Sequence, residues 1–168
     1  MPARQGEPEG PGTALNTFWV SGVTYVSTWL GGYVAFVIDS FVNRIVGWRA
    51  SRSPQTQFVL DALEQALYER RPDGDLIHHS DRCSQYVSIR YTERLAEAGI
   101  EPSVGSVGDS YEFKLVRVCG SNDPGDHLKA QNALAETIIG LFKAEVIHRL
   151  GPWKTVDAVE WETLKWVD

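Results

Sequence analysis

Two short segments hold the side chains whose types and spacing could do chemistry. The first runs from His78 to Tyr86 and reads HHSDRCSQY, and the second runs from Asn132 to Lys143 and reads NALAETIIGLFK. Carboxylates such as Asp81 and Glu136 supply the oxygen ligands that Mg²⁺ prefers. A carboxylate and an ammonium group placed together could bind a metal ion and a nearby phosphate group.

Asp81 follows a short predicted strand, Leu76 to His79. Open α/β sheets place their active sites just outside the carboxyl ends of strands, so Asp81 is a candidate site residue. Alternatively, Asp81 only caps the turn into the helix that follows. His78 and His79 are adjacent, so in a strand they point to opposite faces and cannot hold one metal together. At least one of them is therefore predicted to pack in the core.

Glu136 and Lys143 lie seven residues apart in a predicted helix. Seven residues make nearly two helical turns, so both side chains are expected to project from one face. Two solvated charges on an exposed helix would show the same spacing, and the pair alone does not define a site.

The elements that must position these residues follow from hydrophobic periodicity. Tyr33 to Ile38 is an unbroken apolar run after Gly31-Gly32, which predicts a strand buried on both faces. The other predicted strands are Trp19–Thr28, Ile45–Ala50, Leu76–His79 and Ile100–Val104, and the predicted helices are Pro54–Arg70, Val87–Ala98, His127–Leu150 and Val156–Val167. This order predicts an α/β fold, a mixed sheet with helices packed on it.

The length of 168 residues suits one well-packed domain. Residues 1–17 contain three prolines and three glycines and almost nothing to bury, so we expect them to be disordered and the domain to span residues 18–168. No apolar stretch has the length of a membrane helix, so no membrane partner is expected. The two cysteines give no disulfide framework, which suits a cytoplasmic location.

The net charge of −6 argues against a protein that binds DNA by itself, because phosphate contacts need Lys and Arg. Acidity favours a small-molecule enzyme or a protein-interaction domain instead. DNA binding remains compatible with this charge if a partner domain carries the DNA affinity, or if the carboxylates gather at a metal site.

Several segments together resemble one known family, the integrase-type catalytic core of insertion-sequence transposases. These segments read FWVSGVTYVSTW, YVAFVIDSF, RIVGWR, IHHSDRCSQYVSIRYTERLAEAGIEPSVGS and NALAETIIGLFKAEVIHRLGPW. The similar type is the second reading frame of two-frame elements, within the retroviral-integrase superfamily. The resemblance runs from about Phe18 to Asp168.

The resemblance implies a ribonuclease-H-like fold, a mixed five-stranded sheet flanked by helices. It also implies DNA cleavage and strand transfer by two aspartates and a glutamate that hold two Mg²⁺ (or Mn²⁺) ions. By the match, Asp81 is the second aspartate, Glu136 is the glutamate and Lys143 contacts DNA. The implied partners are the element's terminal repeats, target DNA, and a first-frame helix-turn-helix protein or an intact transposase.

The first aspartate of the resembled motif is missing here. The family pattern Trp-x-x-Asp-x-Thr-Tyr reads WVSGVTY, so Gly22 occupies the ligand position. We therefore expect weak metal binding and impaired activity. Asp39 is a candidate substitute, because folding the hairpin about Gly31 brings it near Gly22, and a one-residue change of register decides its face.

Two further departures point to a degenerate copy. Asp81 and Glu136 are separated by 54 residues, and removing the 19 residues from Glu112 to Ala130 restores the spacing of the family. Cys83 stands where a glycine is usual. A catalytically inactive remnant that binds DNA or a transposase is therefore an alternative, as is a different ribonuclease-H-like nuclease.

Overall fold

The computed structural model describes residues 18–72, 76–80, 88–104 and 134–168. Within these ranges lie five strands, β1 Phe18–Tyr25, β2 Tyr33–Asp39, β3 Arg44–Ser51, β4 Ile77–Ser80 and β5 Glu101–Val104. The helices in the same ranges are α1 Thr56–Arg70, α2 Ile89–Glu97, α3 at 134–150 and α4 Val156–Val167. Within α3, the segment Lys143–His148 is π-helical. Residues 1–17 and the predicted beginning of the long helix, 127–133, lie outside the described residues.

The five strands form one sheet in the order β3-β2-β1-β4-β5. β1, β2 and β3 are antiparallel neighbours, whereas β4 pairs in parallel with β1 and β5 in parallel with β4. Parallel neighbours need a crossover connection, which α1 supplies before β4 and α2 supplies before β5. The predicted mixed five-stranded sheet is confirmed.

Helices cover both faces of the sheet, which explains the unbroken apolar run of β2. Val34, Ala35, Phe36, Val37 and Ile38 are all buried. Alternate residues face two separate cores. The core under α1 and α2 contains Trp19, Ala35, Val37, Phe58, Leu63 and Tyr91, and the core under α3 and α4 contains Phe18, Val20, Phe36, Ile38, Phe142 and Val159.

The turn between β2 and β3 depends on a left-handed residue. Asn43, predicted to lie in this turn, has a φ of 52°. Asn tolerates this conformation better than most residues because its short polar side chain can hydrogen-bond locally.

Among the described helices, none is long and apolar enough to cross a bilayer.

Helix α1 rests on β3 through a glycine. A Cβ at Gly47 would lie against the carbonyl oxygen of Ala62, closer than side-chain carbons approach such an atom, and 3.0 Å from the Cβ of Ala66. Helix backbone cannot yield as a flexible side chain does, so this position requires glycine.

We predict that Gly47→Ala lowers the free energy of unfolding by about 1–3 kcal/mol, the usual cost of overpacking a core. Chemical denaturation followed by circular dichroism measures the change. Gly140→Ala is the matched control, because a Cβ there meets nothing within 4 Å. In a helix that substitution should stabilise the protein slightly, and an equal loss in both variants would contradict the close-approach argument.

Candidate functional site

The position predicted for the first carboxylate lies in the middle of the sheet. Gly22 is buried in β1, opposite Phe36 of β2. One residue earlier, Ser21 pairs with Ser80, the last residue of β4. Asp81 follows Ser80 directly in the sequence but lies outside the described residues. Gly22 is therefore one residue beyond the last described pairing between the two central parallel strands.

A side chain at position 22 would point towards α3. A Cβ built on Gly22 lies 2.7 Å from Cδ1 of Ile139 and 4.0 Å from Cβ of Ala135. Ala135 and Ile139 are one turn apart, and Ala135 immediately precedes Glu136. The fold thus brings position 22 against the helix that carries the predicted glutamate. Ile139 presents only the end of a flexible side chain, which could move aside.

Helix α3 holds Glu136 and Lys143 beside its buried stripe. Glu136 is exposed and Lys143 is half-buried. The rotation about the helix axis from Glu136 to Lys143 is about 20° short of two full turns. Both side chains therefore project from the same side of the helix. Gly140 lies between them on this flank, where a Cβ would meet nothing within 4 Å. The stripe itself consists of Ala135, Ile138, Phe142, Val146 and Ile147.

The side chains described at this place do not make a complete metal site. Gly22 has no side-chain oxygen, and Glu136 is the carboxylate predicted for this site on α3. Within the described ranges, no group of three His, Cys, Asp or Glu side chains is arranged to hold a metal ion. The described donors alone therefore do not form a two-metal centre, and Asp81, Cys83 and the predicted insertion 112–130 lie outside the described residues.

Comparison with known proteins decides the family. The model of the integrase core domain matches residues 12–110, more than half of the chain. This chain belongs to the integrase core domain family.

Curated relatives in this family are transposases. The chain is 50% identical over 161 residues to a protein named putative transposase for insertion sequence element IS986/IS6110, from Mycobacterium tuberculosis (strain ATCC 25618 / H37Rv). It is 55% identical over 151 residues to the transposase for insertion sequence element IS629 from Shigella sonnei. These matches cover 92% and 89% of the chain but only 51% and 44% of the relatives. The chain spans about half the length of the relatives that it matches.

The fold is that of the integrase cores. A simian T-cell lymphotropic virus intasome in complex with PP2A regulatory subunit B56 gamma aligns with a TM-score of 0.55 at 11% identity. The alignment covers 95% of this chain and 52% of that one. At this identity the likeness concerns the fold alone. The predicted ribonuclease-H-like sheet and the integrase-type family are both confirmed.

Asp39 does not lie where it could replace a carboxylate at position 22. It pairs with Trp19, three residues from Gly22 along β1, or about 10 Å at strand spacing. It also lies on the other face, because Trp19 belongs to the core under α1 and α2. Its Oδ1 accepts a hydrogen bond of 3.0 Å from the backbone N–H of Phe41. The register between β1 and β2 therefore shows that the prediction of Asp39 as a substitute for a carboxylate at position 22 is wrong.

The two histidines of β4 point to opposite faces, as predicted. His79 stacks on Phe18 with ring centroids 6.3 Å apart, and His78 faces Tyr91 of α2. Both imidazoles are fully buried. The prediction that at least one of them packs in the core is confirmed, and in fact both do.

His78 joins β1, β4 and α2 through a polar network that the sequence analysis missed. Its Nε2 lies 2.6 Å from Oγ of Ser21 and 3.0 Å from the hydroxyl of Tyr91. Burial, reinforced by the charge of His79, lowers the pKa of His78 from 6.5 to about 3. Burial also raises the pKa of Tyr91. The imidazole is therefore neutral at physiological pH, and it fixes the strand that leads into Asp81.

Proposed function

We propose that this chain serves as the catalytic-core region of an insertion-sequence transposase and acts on the element's terminal repeats and on target DNA. Family membership supports the class of reaction. The observation that carries the proposal is the direction of position 22, which faces α3 between Ala135 and Ile139, one residue from Glu136. An integrase core needs its first and third carboxylates on these two elements if they are to share a metal.

We further propose that strand cleavage and transfer are impaired in this copy. Asp81 and Glu136 would hold divalent ions, which would supply activation of the attacking oxygen and stabilisation of the leaving oxygen in an in-line displacement. Mg²⁺ or Mn²⁺ would here rely on Asp81 and Glu136 without a third carboxylate at Gly22. Hard cations bind through oxygen ligands, and the loss of one weakens the site.

Lys143 is the proposed DNA contact of α3. It lies on the flank of Glu136, and bare Gly140 between them leaves room for a phosphodiester backbone. A lysine at this place supplies a point charge to a phosphate and thereby positions the DNA relative to the carboxylates.

We predict that Lys143→Gln weakens binding to duplex DNA and reduces the slope of log K against log salt by about 1, the signature of one lost phosphate contact. Fluorescence anisotropy over a series of salt concentrations measures it. Lys165→Gln is the matched control, because Lys165 already pairs with Glu162 at 2.7 Å on α4. If wild type and Lys143→Gln gave equal slopes of log K against log salt, Lys143 would not be a phosphate contact.

A second candidate function is a catalytically inactive domain that binds DNA or a transposase partner, such as a first-frame helix-turn-helix protein or an intact transposase. Gly22 favours this candidate, as does the net charge of −6, which suits a protein partner that carries part of the DNA affinity.

The test is a terminal-repeat duplex incubated with the chain and Mn²⁺, alone and beside an intact relative. Binding without cleavage supports the impaired core. Cleavage at the rate of the intact relative contradicts the impairment, and absence of DNA binding both alone and with the partner contradicts the whole proposal.

A further inference from the structure

The tip of the β1–β2 hairpin, residues 26–32, exposes two large apolar side chains. Trp29 is 76% exposed and Leu30 is 82% exposed. Single exposed apolar residues are common on protein surfaces, but two adjacent ones of this size at the end of a hairpin are a feature that calls for an explanation.

The tip is a preformed turn with internal hydrogen bonds. The backbone N–H of Val26 donates to the carbonyl of Gly32 at 2.8 Å, and that of Gly31 donates to Thr28 at 3.1 Å. The Thr28 hydroxyl donates to the carbonyl of Gly31 at 2.8 Å, and Gly31 has a φ of 76°. Trp29 is thus presented by an ordered backbone, so a ligand that packs on its ring orders little additional chain.

The same tip is attached to the segment that leads into α4. Thr28 forms a β-bridge with Trp153, and a Cβ at Gly32 would lie 2.8 Å from Cγ2 of Val156. The Trp153 indole N–H in turn donates to the carbonyl of Ile147 in α3. The hairpin tip, the end of α3 and the beginning of α4 therefore form one connected surface.

The segment 143–154 of this surface is basic in an acidic protein, although α4 begins with the acid Asp157. Lys154 places its Nζ 5.4 Å from the centroid of the Trp29 ring. Residues 143–154 contain Lys143, Arg149 and Lys154 against the single acid Glu145, whereas the whole chain has a net charge of −6. Arg149 and Lys154 are exposed. An aromatic ring beside the exposed cation of Lys154 matches the base and the phosphate of a nucleotide.

The tip also lies at the end of the sheet where the candidate site is found. β1 continues from Ser21, the partner of Ser80, through Gly22 to Tyr25 and then to the tip. Trp29 lies seven positions after Gly22, which is at most about 23 Å of extended strand. That is about seven base pairs of duplex at 3.4 Å each. DNA engaged at the site can therefore reach the tip.

We propose that Trp29 and Lys154 form a contact for unpaired DNA, in which the indole stacks on an exposed base and the ammonium binds the neighbouring phosphate. Stacking on an aromatic ring requires a base that is out of the duplex, as at an overhanging or frayed end. This inference rests on the proposed function, since it assumes that the chain engages DNA.

The chain offers a closely matched control in Trp161. It is 61% exposed, and Lys165 lies over its ring at 5.4 Å, the same distance as at the tip. However, Glu160 and Glu162 flank it, and Lys165 pairs with Glu162. Geometry and exposure are therefore similar at the two tryptophans, while the charge around Trp161 repels phosphate.

The experiment compares Trp29→Ala and Trp161→Ala on two probes by fluorescence anisotropy, a blunt duplex and the same duplex with a three-nucleotide single-stranded overhang. Trp29→Ala should bind the overhang probe about tenfold more weakly, the effect of one lost stacked base. It should leave the blunt duplex unchanged, and Trp161→Ala should bind both probes as wild type does. Lys154→Gln should reduce the salt slope on the overhang probe by about 0.7, the value for one single-strand phosphate.

Equal affinity of wild type and Trp29→Ala for the overhang probe overturns the inference, as does an equal loss in Trp161→Ala. Sedimentation of the same variants covers a protein occupant: if Trp29→Ala instead dissociates a complex between two copies, the tip is a protein contact and the inference is wrong. If the Trp29 prediction fails but wild type still binds the blunt terminal-repeat duplex, the proposed function stands. If wild type does not bind that duplex, both the proposed function and this inference are contradicted.

Discussion

Gly22→Asp is expected to raise metal-dependent 3′-end cleavage of a terminal-repeat duplex by at least about a hundredfold. A carboxylate at position 22 would complete the oxygen ligands that Asp81 and Glu136 are proposed to contribute. Metal ions contribute several kcal/mol of transition-state stabilisation, and each 1.4 kcal/mol is a factor of ten in rate. The measurements are single-turnover cleavage with Mg²⁺ or Mn²⁺, and Mn²⁺ affinity by calorimetry.

The Ile139 side chain that packs against Gly22 determines which control variants the Gly22→Asp experiment needs. Because a Cβ at position 22 would lie 2.7 Å from Cδ1 of Ile139, the substitution is best tested both alone and with Ile139→Val, which removes that carbon. Gly22→Asn has the same shape as the aspartate without its charge and should bring no gain. Adding Glu136→Gln to Gly22→Asp should abolish the gain, since both groups are proposed to serve one site.

A second variant in the same experiment lacks the predicted insertion 112–130. Gly22→Asp with these residues deleted tests whether the extra length blocks DNA access after the ligand is restored. If neither arm gains cleavage or Mn²⁺ affinity while circular dichroism shows native folding, the assignment of Gly22 as the first ligand position is wrong.

Acidification is expected to destabilise the protein strongly through His78. In the unfolded chain this imidazole takes up a proton below about pH 6.5, whereas the folded protein holds its pKa at about 3. The contribution of His78 to stability is thus fully present above pH 6.5 and is lost as the pH falls towards 3. Each pH unit costs about 1.4 kcal/mol, so about 3 kcal/mol is lost between pH 6.5 and pH 4.

Urea denaturation at a series of pH values measures this dependence. His78→Gln removes the titrating group, so its stability should change less between pH 6.5 and pH 4, even if its value at neutral pH is lower. His148→Gln is the control at an exposed position and should follow the wild-type profile. If His78→Gln keeps the wild-type slope, His78 is not the group responsible.

Much of the fold could be predicted from local pattern. The apolar run of β2 required burial on both faces, and the helical spacing of Phe58, Ala62 and Ala66 defined α1. The left-handed residue at Asn43 was also placed in its turn correctly. Predicted boundaries differed mainly where a strand leaves the sheet, as at Tyr25, which ends β1 three residues before the predicted Thr28.

The relation between distant elements could not be obtained in this way. No local signal states that β1 pairs with β4, or that Asp39 stands opposite Trp19 and so faces away from Gly22. The network of Ser21, His78 and Tyr91 unites three elements that are far apart in sequence, and it depends on that pairing. The assignments of Asp81, Glu136 and Lys143 came from resemblance and remain predictions, although the approach of position 22 to α3 supports them.

The outer edge of the sheet has a consequence for the behaviour of the protein in solution. Among the described strands, β3 pairs with β2 alone, and the backbone N–H of Trp48 donates a hydrogen bond of 3.1 Å to the side-chain oxygen of Gln65. Arg49 forms a salt bridge with Asp61, and Arg52 forms one with Asp157. Open strand edges are templates for uncontrolled pairing between chains, and natural proteins block them with covering side chains and charges. In this molecule one glutamine amide on a neighbouring helix occupies the donor that an incoming strand would need, which disfavours fibril-like growth from that side.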